Sequence, residues 1–153
     1  VAPHMVQQTR TSLPNLFELD ETAWLESMAG LIVAGQHEDL DFPHLAEYLN
    51  DMARRDRREV ESRLEVLLVH LLKWSHQPDR RTPSWRGTVL VQRNELARLV
   101  KGVLRRHAVD VLRETYQGAR EVAMAETELP AEVFPEDCPW SLDELLSANL
   151  LTE

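Results

Sequence analysis

The sequence predicts an all-α fold: a helical bundle built on a long antiparallel helix hairpin, with short C-terminal helices packed on it. Three observations carry this. Leucine occurs 24 times against 15 for valine plus isoleucine, so straight-chain helix formers outweigh the β-branched residues that favour strands. Glycine and proline together make up 13 of the 153 residues, below the roughly 12% of an ordinary chain, which leaves few breakers. Apolar residues recur every three or four positions rather than alternating, the period of a helix with one buried face. With 42 Leu, Ile, Val and Phe residues the chain is too apolar to be disordered. At about 150 residues it is expected to bury about 70% of its extended surface, enough for one core.

The first helix is expected to start behind Asp20 as N-cap and run to Ala34. Gly35 is placed to take the left-handed conformation that ends it, and the core face is Trp24, Met28, Leu31 and Ile32. The second opens after Asp41, with Pro43 in the first turn where a missing amide hydrogen costs nothing, and runs past thirty residues to about Ser75. Its seam is Leu45, Leu49, Val60, Leu64, Leu67, Leu71 and Trp74. The third has Thr82 and Pro83 as cap and first residue and runs toward Leu104, with Gly102 as a weak point. The fourth covers about His107 to Thr127. Pro130 and Ser141 open short helices, the latter with Glu144 completing a capping box.

Only His76 to Arg81 separate the second and third helices, so the two should fold back on each other. Positions whose numbers sum to about 159 then share a level, which sets Trp74 beside Trp85 and Arg63 beside Glu95. Glu61 and Arg98 match in number, yet sit on the far sides of their helices.

Charge is distributed unevenly. Residues 1–53 hold one base and nine acids, 54–120 sixteen bases and eight acids, and 121–153 nine acids and no base. The basic middle could be a phosphate-binding surface. The sequence favours acidic ends folded back over it, because tethered acids compete with phosphate at high effective concentration. On these grounds the segment from Leu129 to Leu151 is expected to dock through Phe134, Trp140, Leu142 and Leu145. The run Arg54 to Glu59 interrupts the seam. Asp56, Glu59, Arg63 and His70 fall on or beside it, so they form either an internal ion network or a ligand pocket.

The catalytic inventory is thin. No two of the six histidines have the i, i+4 spacing of a helical metal site, and no Glu-x-x-His occurs. His70 is the best single ligand candidate, with Glu47, Asp56 or Glu59 as carboxylates. Cys138 lies in Glu136-Asp137-Cys138-Pro139, where neighbouring carboxylates oppose thiolate formation. There is no phosphate loop and no Gly-x-Ser-x-Gly. No run approaches the 20 or so apolar residues of a membrane span. The single cysteine and the missing leader suggest the cytoplasm. Residues 1–4 read as an expression scar, 5–19 as a partly ordered segment, and 20–151 as a single helical domain.

His70-Leu71-Leu72-Lys73-Trp74, Gln77-Pro78, Ser84-Trp85-Arg86, Gln92-Arg93 and Phe134-Pro135-Glu136-Asp137-Cys138-Pro139-Trp140 occur together, with Leu45-Ala46-Glu47 and Glu61-Ser62-Arg63-Leu64-Glu65. In these segments the chain resembles the bacterial family catalogued as domain of unknown function 29, from about Trp24 to Leu146. The resemblance implies an all-helical cytoplasmic bundle without an assigned activity, cofactor or catalytic residue. Arg63, His70, Lys73, Trp74, Trp85 and Arg93 are the candidate binding residues. The favoured function is a non-enzymatic protein-interaction module, with a protein partner or self-association and no cofactor, metal or membrane. The alternatives are a metal-dependent or small-anion-binding bundle using His70 with carboxylates or arginines and, more weakly, nucleic-acid binding through the basic middle.

Overall fold

The computed structural model describes residues 11–147 and 149–152. The expression scar at 1–4 and residues 5–10 of the segment expected to be partly ordered lie outside the described residues. Among the described residues there are helices and no strands: α1 (Leu13–Leu19), α2 (Glu21–Val33), α3 (Phe42–His76), α4 (Pro83–Leu99), α5 (Gly102–Thr127) and α6 (Leu142–Ser147). Short 3-10 turns lie at His37–Asp39, Pro78–Arg80 and Ala131–Val133. The chain divides into two compact units, one ending at Met52 and one starting at Ala53, and α3 supplies residues to both.

In the N-terminal unit, α1 is a helix that periodicity did not announce. Asp20 ends it and caps α2, its Oδ1 accepting from Ala23 N at 3.0 Å. Gly35 ends that helical segment at φ +73°, the left-handed region where glycine is favoured. Trp24 and Met28 are buried as expected, but Leu31 is only half-buried and Ile32 is 46% exposed. Ile32 lies about 80° around α2 from Trp24 and so emerges at the rim of the buried stripe. The first turns of α3 turn His44, Leu45 and Tyr48 inward. Leu49, expected on the seam, is 60% exposed because it lies about 90° around from the middle of that face.

The C-terminal unit is the bundle. Val60, Leu64, Leu67, Leu68, Leu71 and Leu72 of α3 are fully buried against Val89 and Leu96 of α4 and Ala108, Tyr116, Ala119 and Ala123 of α5. The small alanines let α5 approach closely, and each fully buried leucine contributes about 2 kcal/mol by leaving water. Thr82 caps α4 through Trp85 N at 3.2 Å, with Pro83 in its first turn. The expectation that this helix continues toward Leu104 is corrected. It ends at Leu99, Gly102 takes φ +53°, and α5 begins there, five residues before the expected start at His107. A left-handed residue interrupts the α-helical hydrogen-bond ladder, so the weak point is a full break.

The segment after Leu129 docks on this unit. Phe134, Leu142 and Leu145 are buried, Trp140, Leu146, Leu150 and Leu151 pack partly buried against the core, and α6 lies on α4 and α5. Its capping box is formed, Ser141 N donating to Glu144 Oε2 at 2.9 Å and Glu144 N to Ser141 Oγ at 3.2 Å. Backbone carbonyls complete the latch: Tyr116 donates to Pro135 O at 2.6 Å, Gln117 to Glu136 O at 2.6 Å, and Arg120 to Ala131 O at 2.8 Å. The docking is therefore mainly apolar, with Arg105 to Asp143 at 2.6 Å as an exposed ion pair beside it.

Candidate functional site

The end of α3 and the start of α4 gather three of the six candidate residues. Lys73 and Trp74 occupy the last turn of α3 and Trp85 the first turn of α4, so the tight turn brings them to one level, as the hairpin sum requires. Lys73 Nζ lies 4.7 Å from the centre of the Trp85 ring and 2.8 Å from Glu126 Oε2. Trp74 is buried, its ring faced by the guanidinium groups of Arg81 at 4.7 Å and Arg86 at 5.4 Å. Its indole N–H donates to Thr152 O at 3.0 Å, while Arg81 Nε donates to Trp74 O at 3.0 Å and so satisfies an orphan carbonyl at the helix end. The arrangement is a set of cation–π contacts that ties turn, helices and C-terminal segment together.

The other candidates are placed differently. Arg63 does not pair with Glu95, as the register suggested. It is held by Glu59 Oε1 at 2.9 Å, one turn back on its own helix, and by Gln92 Oε1 at 3.1 Å, while Glu95 pairs with Arg98. The local i, i+4 partner is already in reach, and Gln92 lies almost a turn before Glu95. Glu61 meets His107 at 2.8 Å. The Nδ1 atom of His70 lies 2.8 Å from Val66 O and donates to it, the hydrogen-bonding of a helix-embedded histidine. Arg93 is partly buried on α4. Among the described residues, no group of three or more His, Cys, Asp or Glu is arranged to hold a metal ion.

Burial pushes the Cys138 thiol up, and the carboxylate that adds to it is Glu144 rather than its sequence neighbours Glu136 and Asp137. The thiol sits 3.3 Å from Trp140 O, inside the docked segment. Two surface concavities flank α3: one of about 570 Å³ between α3 and α5, with Arg58, Glu61, Glu65 and Glu114 on its walls, and one of about 590 Å³ along Arg55, Arg58, Ser62 and Arg63.

A polar cluster that sequence reasoning missed lies in the N-terminal unit. Asp41, 7% exposed, accepts from Trp24 Nε1 at 3.1 Å and from His44 Nδ1 at 2.7 Å through the same oxygen. Phe17 stacks on the imidazole at 4.3 Å and meets Trp24 edge-on at 4.9 Å, while Met28 Sδ accepts from Asp41 N at 3.4 Å. Burial works to raise the Asp41 pKa, but the His44 and Trp24 hydrogen bonds and the imidazole charge outweigh it and hold the carboxyl below its ordinary range. An oriented Asp–His pair can move a proton at the imidazole's other nitrogen. Here Nε2 faces Glu18 at 3.9 Å, and Phe17 covers the ring. The Asp-x-x-His spacing at a helix start was the available signal, but it reads as an ordinary N-cap.

The family model described as domain of unknown function DUF29 matches residues 16–151. The chain belongs to the DUF29 family. No curated protein and no solved structure matches it. For this DUF29 chain the segments that suggested the family have structural work: Phe134 to Trp140 forms the latch on α5, and Lys73-Trp74 with Ser84-Trp85-Arg86 forms the cation–π turn. No helix among the described residues is long and apolar enough to cross a membrane.

Proposed function

We propose that this DUF29 chain is a non-enzymatic protein-interaction module of the bacterial cytoplasm. The observation that carries the reading is the outer face of α2. Leu25, Ala29 and Ile32 fall within about 60° of one another around the helix, with Val33 beside them, and this stripe continues at Ile32 from the buried one led by Trp24 and Met28. Ile32 is 46% and Val33 89% exposed. A short surface helix whose apolar arc runs on past its buried part gains from covering the remainder against another protein. The engagement of the reactive groups supports the same reading: His70, Arg63, Lys73 and Cys138 each bond to the protein's own backbone or side chains.

Cross-linking in native cells tests it. The wild-type chain should be trapped in adducts heavier than itself, and Ile32→Glu with Val33→Glu should lose them while the fold, followed by circular dichroism, is kept. Adducts that survive the double substitution unchanged, or a wild-type chain that is never trapped, would overturn the reading.

A further inference from the structure

The face of α2 is acidic as well as apolar. Glu21 and Glu26 flank Leu25, Ala29, Ile32 and Val33 on the same side of the helix, and residues 11–52 carry nine acids and no Lys or Arg. The C-terminal unit presents a face of the opposite kind. Along the N-terminal half of α5, Val103, Arg106, Val109, Asp110 and Arg113 lie within about 120° of arc and are all exposed, the two valines at 52% and 54%. Residues 97–113 hold five bases and one acid.

We propose that these two faces bind each other between copies of the chain, α2 of one molecule docking head to tail on α5 of the next. The inference rests on the protein-interaction reading and names the partner. Charge complementarity selects it: an acidic stripe around isoleucine and valine meets a basic stripe around two valines, so the apolar residues cover one another while the charges pair at the rim. The lengths agree, since α2 is about 20 Å long and the α5 stripe from Val103 to Arg113 about 15 Å at 1.5 Å rise per residue. Ile32 and Val33 on the one face and Val103 and Val109 on the other are exposed, so a second copy can cover them. A polyphosphate fits the α5 face less well, because it gains nothing from Val103 and Val109 and meets Asp110. The faces differ, so the contact is heterologous and leaves one free face at each end, and the assembly grows with concentration. Two short stripes make a small interface of the weak, transient class.

Sedimentation equilibrium of the full chain provides the test. The wild type should associate beyond the dimer as concentration rises, and its affinity should fall at least about tenfold between 0.1 M and 1 M salt, where the screening length drops from about 10 Å to about 3 Å. Ile32→Lys and Arg106→Glu are both surface substitutions, and each alone should be monomeric. Mixed, they should form a one-to-one dimer that grows no further, because each retains the face the other has lost. A wild type that stays monomeric throughout overturns the proposal, as does a mixture that stays monomeric, or either variant assembling like the wild type. Duplex DNA retained by the wild type and lost in Arg106→Glu would assign the α5 face to phosphate and also overturn it. A monomeric wild type whose cellular adducts persist removes only the self-pairing and leaves the interaction reading standing.

Discussion

In the C-terminal unit Leu64, Leu67, Leu68, Leu71 and Leu72 are buried side by side against three alanines and Tyr116 of α5. Among the described residues of the N-terminal unit only Trp24 and Met28 are buried apolar residues, and they close over a carboxylate, Asp41. The described part of that unit, residues 11–52, is close to the size below which an apolar core alone rarely suffices. It is instead knit by directional contacts: indole to carboxylate, carboxylate to imidazole, and phenyl stacked on imidazole. The larger unit gains stability in proportion to area, with little demand on geometry. The smaller depends on a few hydrogen bonds centred on one residue, Asp41, and it leaves apolar surface on α2 uncovered. Economy of core and availability of surface are two sides of the same short chain length.

The largest effect should come from the larger unit. Leu67→Ala removes a fully buried side chain between α3 and its neighbours and should cost about 3 kcal/mol through lost burial plus the cavity left behind. Denaturant unfolding should show the loss in the main transition, with the slope unchanged. A loss under about 1 kcal/mol would mean that this core repacks easily, and the contrast between the units would narrow.

Asp41→Ala addresses the other side. It strips Trp24 Nε1 and His44 Nδ1 of their acceptor inside the fold and should cost about 2 kcal/mol, because a buried donor left without a partner loses its hydration as well. Amide exchange should accelerate in α1 and α2 while Leu64 to Leu72 keep their protection. The same carboxyl makes the smaller unit acid-sensitive. Its native pKa lies below the ordinary value of 3.8, so its contribution is complete above the ordinary carboxylate range and is lost as pH falls through the depressed native value. The indole proton of Trp24, followed by NMR, should report that titration, and Asp41→Asn should abolish it. Equal loss of protection in both units would show that they do not open separately.

What the sequence made legible follows the range of each interaction. Asp20, Gly35, Asp41 with Pro43, Thr82 with Pro83, and Ser141 with Glu144 act within one turn, and each helix boundary they mark is present. The break at Gly102 was not legible, because a single glycine within continuous apolar spacing is compatible with either a weakened helix or a stop. The shared level of Trp74 and Trp85 followed from loop length, whereas the place of Lys73 over the Trp85 ring did not. The partner of Arg63 did not, since a cross-helix register leaves an uncertainty of about one turn, the distance from Glu95 to Gln92. The Trp24–Asp41 bond joins residues 17 apart through a side chain that local rules assign to capping. The carboxylate that raises the Cys138 pKa comes from α6 rather than from the flanking residues, a contribution that chain proximity did not announce.

The smallest effect concerns the turn of the larger unit, where polar contacts resemble those of the smaller one. Trp85 is only partly buried and carries Lys73 on its face, so Trp85→Ala should cost about 2 kcal/mol, below the 3–5 kcal/mol typical of a fully enclosed tryptophan. Trp85→Phe should recover more than half of this, because the ring's packing contributes more than its contact with the ammonium group, which at this exposure is worth about 0.5–1 kcal/mol. Thermal unfolding of the two variants separates the contributions. Equal losses for Ala and Phe would mean that the indole itself is required. A loss under about 0.5 kcal/mol for Ala would move Trp85 from the fold to the surface, leaving it as a further exposed aromatic available to a partner.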